Sequence, residues 1–171
     1  QAAEMLRNAQ RPLIMTGGGA VNASDSLRVL VDQLNAPVVS STAGKGVVPD
    51  DHPLSLNAST VRHEVQEYLS NADVILAVGT ELAETDSFVD LLDLKGVLIR
   101  IDLDPKKIND QYPATLGIIA DAGDPLDMIV AQGGFEASRS RDEVELELQN
   151  VRNRIEQNLT VSEKKHKKLL K

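Results

Sequence analysis

The sequence predicts a doubly wound α/β domain, a mostly parallel sheet with helices on both faces, and three observations carry that prediction. Hydrophobic residues make up 42% of the chain but aromatics only 2%, so the core is built from Val, Ile, Leu and Ala, the composition of strands buried on both faces. Short apolar runs alternate with amphipathic stretches at helical spacing. No two-residue hairpin turn joins any two of the runs, so the connections are crossovers and the strands they join are parallel.

The elements follow in order. Ala2, Ala3, Met5, Leu6 and Ala9 have helical spacing, and Pro12 breaks the pattern before the apolar run Leu13 to Met15, which ends in Thr16 and three glycines. Leu27, Leu30, Val31 and Leu34 then mark an amphipathic helix, with Ser24 and Asp25 placed to cap its first turn. Pro37 to Val39 form a second strand, ending in Ser40, Ser41 and Thr42, before an irregular stretch with Gly44-Lys45-Gly46 and Pro49-Asp50-Asp51. Val61, Val65, Tyr68 and Leu69 predict a helix, Val74 to Val78 a third strand closed by Gly79, and Val97 to Ile101 a fourth closed by Asp102. Asp104-Pro105 supplies an N-cap with proline at the first helical position, where its missing N–H costs nothing. The same device is expected again after a fifth strand, Leu116 to Ile119, where Asp124-Pro125 opens a helix. Val144, Leu148, Val151 and Ile155 keep a helical stripe in a charged background, and Lys164 to Lys171 is lysine-rich.

At 171 residues the chain suits one core. A net charge of -8 repels phosphate backbones and anionic lipid, so neither nucleic acid nor a membrane is expected as partner. The absence of cysteine excludes thiolate metal sites, disulfide frameworks and thiol catalysis, and agrees with a cytoplasmic location. No signal peptide or spanning segment is visible.

Ligands of doubly wound sheets bind at the carboxyl ends of the strands. Those ends carry Thr16-Gly17-Gly18-Gly19, Ser40-Ser41-Thr42, Gly79-Thr80, Asp102 and Asp121, small residues and hydroxyls with two carboxylates. Such a set suits a dinucleotide, with a tight glycine turn as the competing account. The standard fingerprint fails, because Asn22 stands where the third glycine belongs and Ser40 and Ser41 where the ribose-binding acid belongs. Gly44-Lys45-Gly46 is no Walker loop, and Lys45 reads as a solvated turn residue. Glu81, Glu84 and Asp86 concentrate carboxylates after the third strand, where exposed loop charges are the ordinary account. His52, His63 and His166 lack metal-ligand spacing and read as surface residues; no nucleophile elbow is present.

Taken together, Arg11-Pro12-Leu13-Ile14 leading into Gly17-Gly18-Gly19, Ala36-Pro37-Val38-Val39, Gly44-Lys45-Gly46 with Pro49-Asp50-Asp51-His52-Pro53, Ala72-Asp73 through Gly79, and Ile101-Asp102-Leu103-Asp104 resemble the central domain of thiamine-diphosphate-dependent enzymes. That family includes acetolactate synthase, pyruvate oxidase, oxalyl-CoA decarboxylase and benzoylformate decarboxylase. The resemblance spans roughly Ala2 to Val130 and implies a Rossmann-like, DHS-like NAD/FAD-binding fold. It divides the chain into a central domain, 1–134, and an appended helix and exit linker, 135–171, towards a pyrophosphate-binding domain. It further implies a three-domain subunit whose outer domains hold thiamine diphosphate and Mg²⁺ across a dimer interface, in a homodimer or homotetramer. The chain starts and stops inside a helix, as an excised piece of a longer protein would. The family's G-D-G motif is absent, Gly123-Asp124 being followed by Pro125, so no catalytic residue is assigned to this chain.

In flavin-containing members the central domain binds FAD, and in oxalyl-CoA decarboxylase ADP, through positions matching Gly18, Gly19, Ser41, Thr42, Gly79, Thr80, Asp102 and Asp121. Acetolactate synthases carry an Arg-rich sequence after the third-strand glycine, whereas this chain has Glu81-Leu82-Ala83-Glu84-Thr85-Asp86. An acid in place of a phosphate-facing Arg argues against FAD, because like charges repel in a partly desolvated cleft. The synthases' Gly-x-His-Gly element is also missing between Leu56 and Tyr68. In Gly79-Thr80-Glu81-Leu82 and Glu84-Thr85-Asp86 the chain is more similar to acetolactate-synthase-like decarboxylases of longer 2-oxo acids, such as 5-guanidino-2-oxopentanoate decarboxylase. The sequence therefore predicts a non-catalytic scaffold, with an FAD- or ADP-binding module as the alternative.

Overall fold

The computed structural model describes residues 1–169, with side chains to residue 162. The lysine run from Lys164, the connector role of its segment and the exposure of His166 fall outside the described side chains. Five strands, β1 (Pro12–Thr16), β2 (Val38–Ser40), β3 (Val74–Val78), β4 (Val97–Asp102) and β5 (Leu116–Ile119), form one sheet in the order β2-β1-β3-β4-β5. Every pairing is parallel, with Ile14 opposite Val38 and Leu76, and Ile99 opposite Leu76 and Leu116. This is the doubly wound α/β architecture the sequence predicts: the chain steps to one side of β1 and then crosses to the other, so strand order reverses between β1 and β3.

All five residues of β1 and all five of β3 are buried, which requires cover on both faces. One helical group consists of α1 (Ala2–Asn8), α2 (Ser24–Leu34) and α6 (Gly123–Gln132), in which α6 touches both of the others; a second pairs α3 (His63–Leu69) with α7 (Arg141–Leu169). The short helices α4 (Glu84–Ser87) and α5 (Pro105–Ile108) lie in the β3–β4 and β4–β5 connections. Val144, Leu148 and Val151 of α7 belong to the same apolar cluster as the strands. Glu147 of α7 ties that helix to the start of β1, accepting from Arg11 Nη2 at 2.9 Å, Arg139 Nη1 at 2.7 Å and the Tyr68 hydroxyl at 3.1 Å.

Three local expectations are corrected. Ser24 and Asp25 do not cap α2, because a 3₁₀ turn over Gly18–Ala23 runs directly into the helix; instead Arg28 donates to the Ser24 carbonyl and pairs with Asp25. Asp124 is no cap either: α6 begins at Gly123, whose N–H is taken by Asp121 Oδ1 at 3.2 Å. His52 is not a free surface residue, since its Nε2 meets Asp32 at 3.2 Å and its Nδ1 accepts the Leu54 N–H, also at 3.2 Å. Asp104 does cap α5, accepting from Lys106 N at 2.9 Å with Pro105 at the first position. Lys45 is exposed and pairs with Asp50, as a solvated turn residue does. Among the described residues no helix is long and apolar enough to cross a membrane.

Candidate functional site

The parallel sheet aims the ends of β1 and β3, where strand order reverses, along one edge, and the glycines there are packed against each other. Gly17 N donates to Val78 O at 3.0 Å, Gly19 N to Gly79 O at 3.1 Å and Ala20 N to Gly17 O at 3.1 Å. A Cβ on Gly17 would stand 2.1 Å from Gly79 O, and one on Gly79 would stand 2.4 Å from the Gly19 carbonyl carbon. Glycine is required here for backbone contact, and the N–H groups of Gly17, Gly19 and Ala20 are consumed inside the fold.

Beside this contact a cavity of about 210 Å³ opens towards β4 and β5, lined by Gly19, Gly79, Glu81, Asp102, Asp104 and Lys107 among others. Glu81 Oε2 and Lys107 Nζ meet at 2.9 Å across it, and that hydrogen bond holds the Lys107 ammonium above the usual lysine range. Asp102 Oδ1 accepts the Asp104 N–H at 2.9 Å, and Asp104 in turn caps α5. Three carboxylates thus face one ammonium around the cavity.

Of the eight residues singled out from the sequence, Gly19, Gly79 and Asp102 converge on this cavity. Asp121 is exposed between Ala120 and Ala122, which line it, and spends one oxygen on Gly123. Ser41 and Thr80 belong instead to a second, much smaller cavity between the ends of β1, β2 and β3. Thr42 is exposed, with its N–H donated to Asp86 Oδ1 at 3.0 Å, and Gly18 is exposed with its Cα facing Ala43. Sequence reasoning missed Lys107, which carries no signal beyond following Asp104-Pro105, and Arg100, which sits unmarked inside a strand.

Arg100 is 1% exposed and fixes the rim of the site from below: Nη1 reaches Asp110 Oδ1 at 2.6 Å and Tyr112 O at 3.0 Å, and Nη2 reaches Thr80 O at 3.2 Å. The Tyr112 hydroxyl accepts the Leu92 N–H at 2.7 Å, so the β3–β4 and β4–β5 connections are bound together.

The arrangement fits the diphosphate of FAD or ADP poorly. At about 210 Å³ the cavity falls short of the roughly 300 Å³ at which small-molecule sites begin. Most of the glycine-loop donors are spent, and Glu81 holds the one ammonium that faces the opening. Among the described residues no group of three or more His, Cys, Asp or Glu side chains could hold a metal ion.

Comparison with known proteins gives a family match over most of the chain. Residues 1–129 match the family described as "Thiamine pyrophosphate enzyme, central domain". The chain is 43% identical to the "Probable 2-ketoarginine decarboxylase AruI" of Pseudomonas aeruginosa over 139 residues, 81% of this chain and 25% of that protein. It is 32% identical to a sulfoacetaldehyde acetyltransferase of Rhodobacter capsulatus over 80% of this chain and 25% of the relative. With an acetolactate synthase large subunit of Buchnera aphidicola it shares 30% identity over 71% of this chain and 22% of the relative. The chain spans about a quarter of the length of these curated relatives.

Proposed function

This chain belongs to the central-domain family of thiamine pyrophosphate enzymes, and from that premise we propose that it is the non-catalytic scaffold of a thiamine-diphosphate-dependent 2-oxo acid decarboxylase or carboligase of acetolactate-synthase type. In this reading the outer domains hold thiamine diphosphate and Mg²⁺, and the central domain sets their spacing within a homodimer or homotetramer. Bound between those domains, thiamine diphosphate would supply the electron sink that stabilises the carbanion left when a 2-oxo acid loses CO₂. The observation that carries the scaffold reading is the closed switch point, where Gly17 and Gly19 spend their N–H groups on Val78 and Gly79.

Decarboxylation of a long, cationic 2-oxo acid is the activity we assign to the parent protein. The higher identity to the 2-ketoarginine decarboxylase than to the synthase supports this, 43% against 30%. The acidic run Glu81 to Asp86 supports it too, since acetolactate synthases place arginines there. The test is CO₂ release by the full-length protein, given thiamine diphosphate and Mg²⁺, from 5-guanidino-2-oxopentanoate against pyruvate. Preference for the guanidino substrate is the expected result; equal or greater turnover of pyruvate sinks the assignment.

A second reading, an FAD- or ADP-binding module, is favoured by one observation: Gly19, Gly79 and Asp102 line a common cavity. Calorimetric titration of the full-length protein separates the two. Weak or no binding of FAD and ADP fits the scaffold, whereas tight binding with a flavin spectrum overturns it.

A further inference from the structure

The fold treats the two edges of its sheet differently. Beside β2 the chain closes its own edge: the Val38 N–H donates to Leu54 O at 2.9 Å, the Leu56 N–H to Val38 O at 2.8 Å and the Ser40 N–H to Asn57 O at 3.1 Å. β5 pairs with β4 on one side and, among the described residues, with no strand or loop on the other. Alternate residues of a strand turn their N–H and C=O groups to opposite sides, so half of the β5 backbone faces outward unpaired.

Lysine, proline and charge, which commonly guard an open edge, are all missing from Leu116-Gly117-Ile118-Ile119. Alongside it, between β5, α1 and α6, runs an apolar groove of about 320 Å³, lined by Ala2, Ala3, Leu116, Ile118, Met128 and Ile129 among others and by no charged side chain. Met128 on α6 and Ile119 at the end of β5 are 67% and 60% exposed. From this juxtaposition of an unpaired strand with an uncharged groove we propose that β5 is the interface with a second copy of this chain. The two strands pair antiparallel about a two-fold axis and join two five-stranded sheets into one.

Charge selects the occupant. A second copy carries the same net charge of -8, so two copies approach with least repulsion where neither presents a charged side chain. The β5 groove meets that condition. Phe88 and Leu91 are also strongly exposed, but they stand in a segment with Glu84, Asp86, Asp90 and Asp93, where copies would set carboxylate against carboxylate. A two-fold contact uses the same patch on both copies, and this patch is self-complementary: each copy offers a strand edge, a groove and a protruding Met128 to fill the groove of the other. Four residues make a short ladder, and the groove adds the apolar contact that the ladder lacks. Such an interface is independent of the reaction that the parent protein catalyses.

The test is the molar mass of the full-length protein by analytical ultracentrifugation, with amide hydrogen exchange over residues 115–120, in the parent and in Met128→Glu and Ile119→Glu. Both positions are exposed enough for a single copy to accept a carboxylate, which the paired copies repel. The expected result is a molar mass that falls by half in each variant, with exchange over residues 115–120 about ten-fold faster or more. A monomeric parent overturns the proposal, and so does a mass that both variants leave unchanged. Slow exchange at unchanged mass assigns the edge to another segment of the parent's own chain. Halved mass with unchanged exchange means that copies meet through the groove without pairing β5, which overturns the strand pairing. Should either variant fail to fold, the other decides, and fast exchange over residues 115–120 in the parent overturns the proposal without any variant.

Discussion

Gly79 packs its backbone directly on Gly19, and the two residues close the point at which the sheet reverses its strand order. A Cβ on Gly79 would lie 2.5 Å from Gly19 Cα, and Gly79 also has φ +54, a conformation side chains rarely adopt. Gly79→Ala is therefore expected to cost on the order of 3 kcal/mol or more, from left-handed strain and overlap combined. Gly46 is the control: its φ is +86 but nothing lies within 4 Å of the added carbon. Gly46→Ala should cost only about 1–2 kcal/mol. Urea unfolding of both variants checks the difference, and equal losses would show that the Gly19 contact contributes nothing.

Arg100 and Asp110 respond asymmetrically to substitution, because they are buried unequally, at 1% and 28% exposure of their side chains. Asp110→Ala leaves a guanidinium enclosed without its counter-ion, and a loss of about 3 kcal/mol is expected. Arg100→Met removes the charge together with its need for a partner, and leaves the Thr80 and Tyr112 carbonyls each short of a donor, a loss of about 1–3 kcal/mol. Unfolding free energies should rank Asp110→Ala as the more damaging change. The reverse order would mean that Arg100 acts mainly through the two carbonyls.

Acid should loosen the attachment of α7 through Glu147. Burial pushes its carboxyl up, but hydrogen bonds and charge from Arg139 and Arg11 outweigh that and hold it below its ordinary value of 4.5. A carboxylate with a depressed folded-state value contributes stability above its unfolded value, and that contribution is lost as pH falls through the folded one. Stability of the parent should thus fall below about pH 4.5 more steeply than that of Glu147→Gln. The variant should be the less stable near neutrality, since two arginines lose their carboxylate. Denaturant titrations from about pH 6 to about pH 3 test this, and parallel pH profiles would exclude Glu147 as the group.

The strands were legible because each is an apolar run that ends in a glycine, hydroxyl or acid, and five such runs joined by crossovers leave few topologies. Helix starts were less legible: a Ser-Asp pair signals a cap, but the 3₁₀ turn over Gly18–Ala23 already leads into α2. The site was half legible. Gly19, Gly79 and Asp102 meet because β1, β3 and β4 are neighbours, whereas Thr42 and Asp121 follow β2 and β5, the two outer strands. Four strand spacings separate those, roughly 19 Å. Arg100 was illegible, because its partners Asp110 and Thr80 lie 10 and 20 residues away and only the folded sheet brings them under one strand.

The Glu81–Lys107 pair decides how the larger cavity treats an anion. Lys107 is the one ammonium lining it, and Glu81, 66% exposed, occupies that ammonium at 2.9 Å while adding a negative charge of its own. A diphosphate entering between Gly19 and Asp102 must displace Glu81 and meet the field of Asp102 and Asp104. Glu81→Gln removes the competing charge and frees Lys107, and because the pair is solvent-exposed the gain is modest, roughly two- to five-fold tighter ADP binding. Lys107→Ala in the same background should abolish the gain, which separates release of the ammonium from simple loss of repulsion. Calorimetry on the full-length protein reads both. Unchanged ADP affinity in Glu81→Gln would mean that the closed glycine contact, and not the charge beside it, excludes the nucleotide.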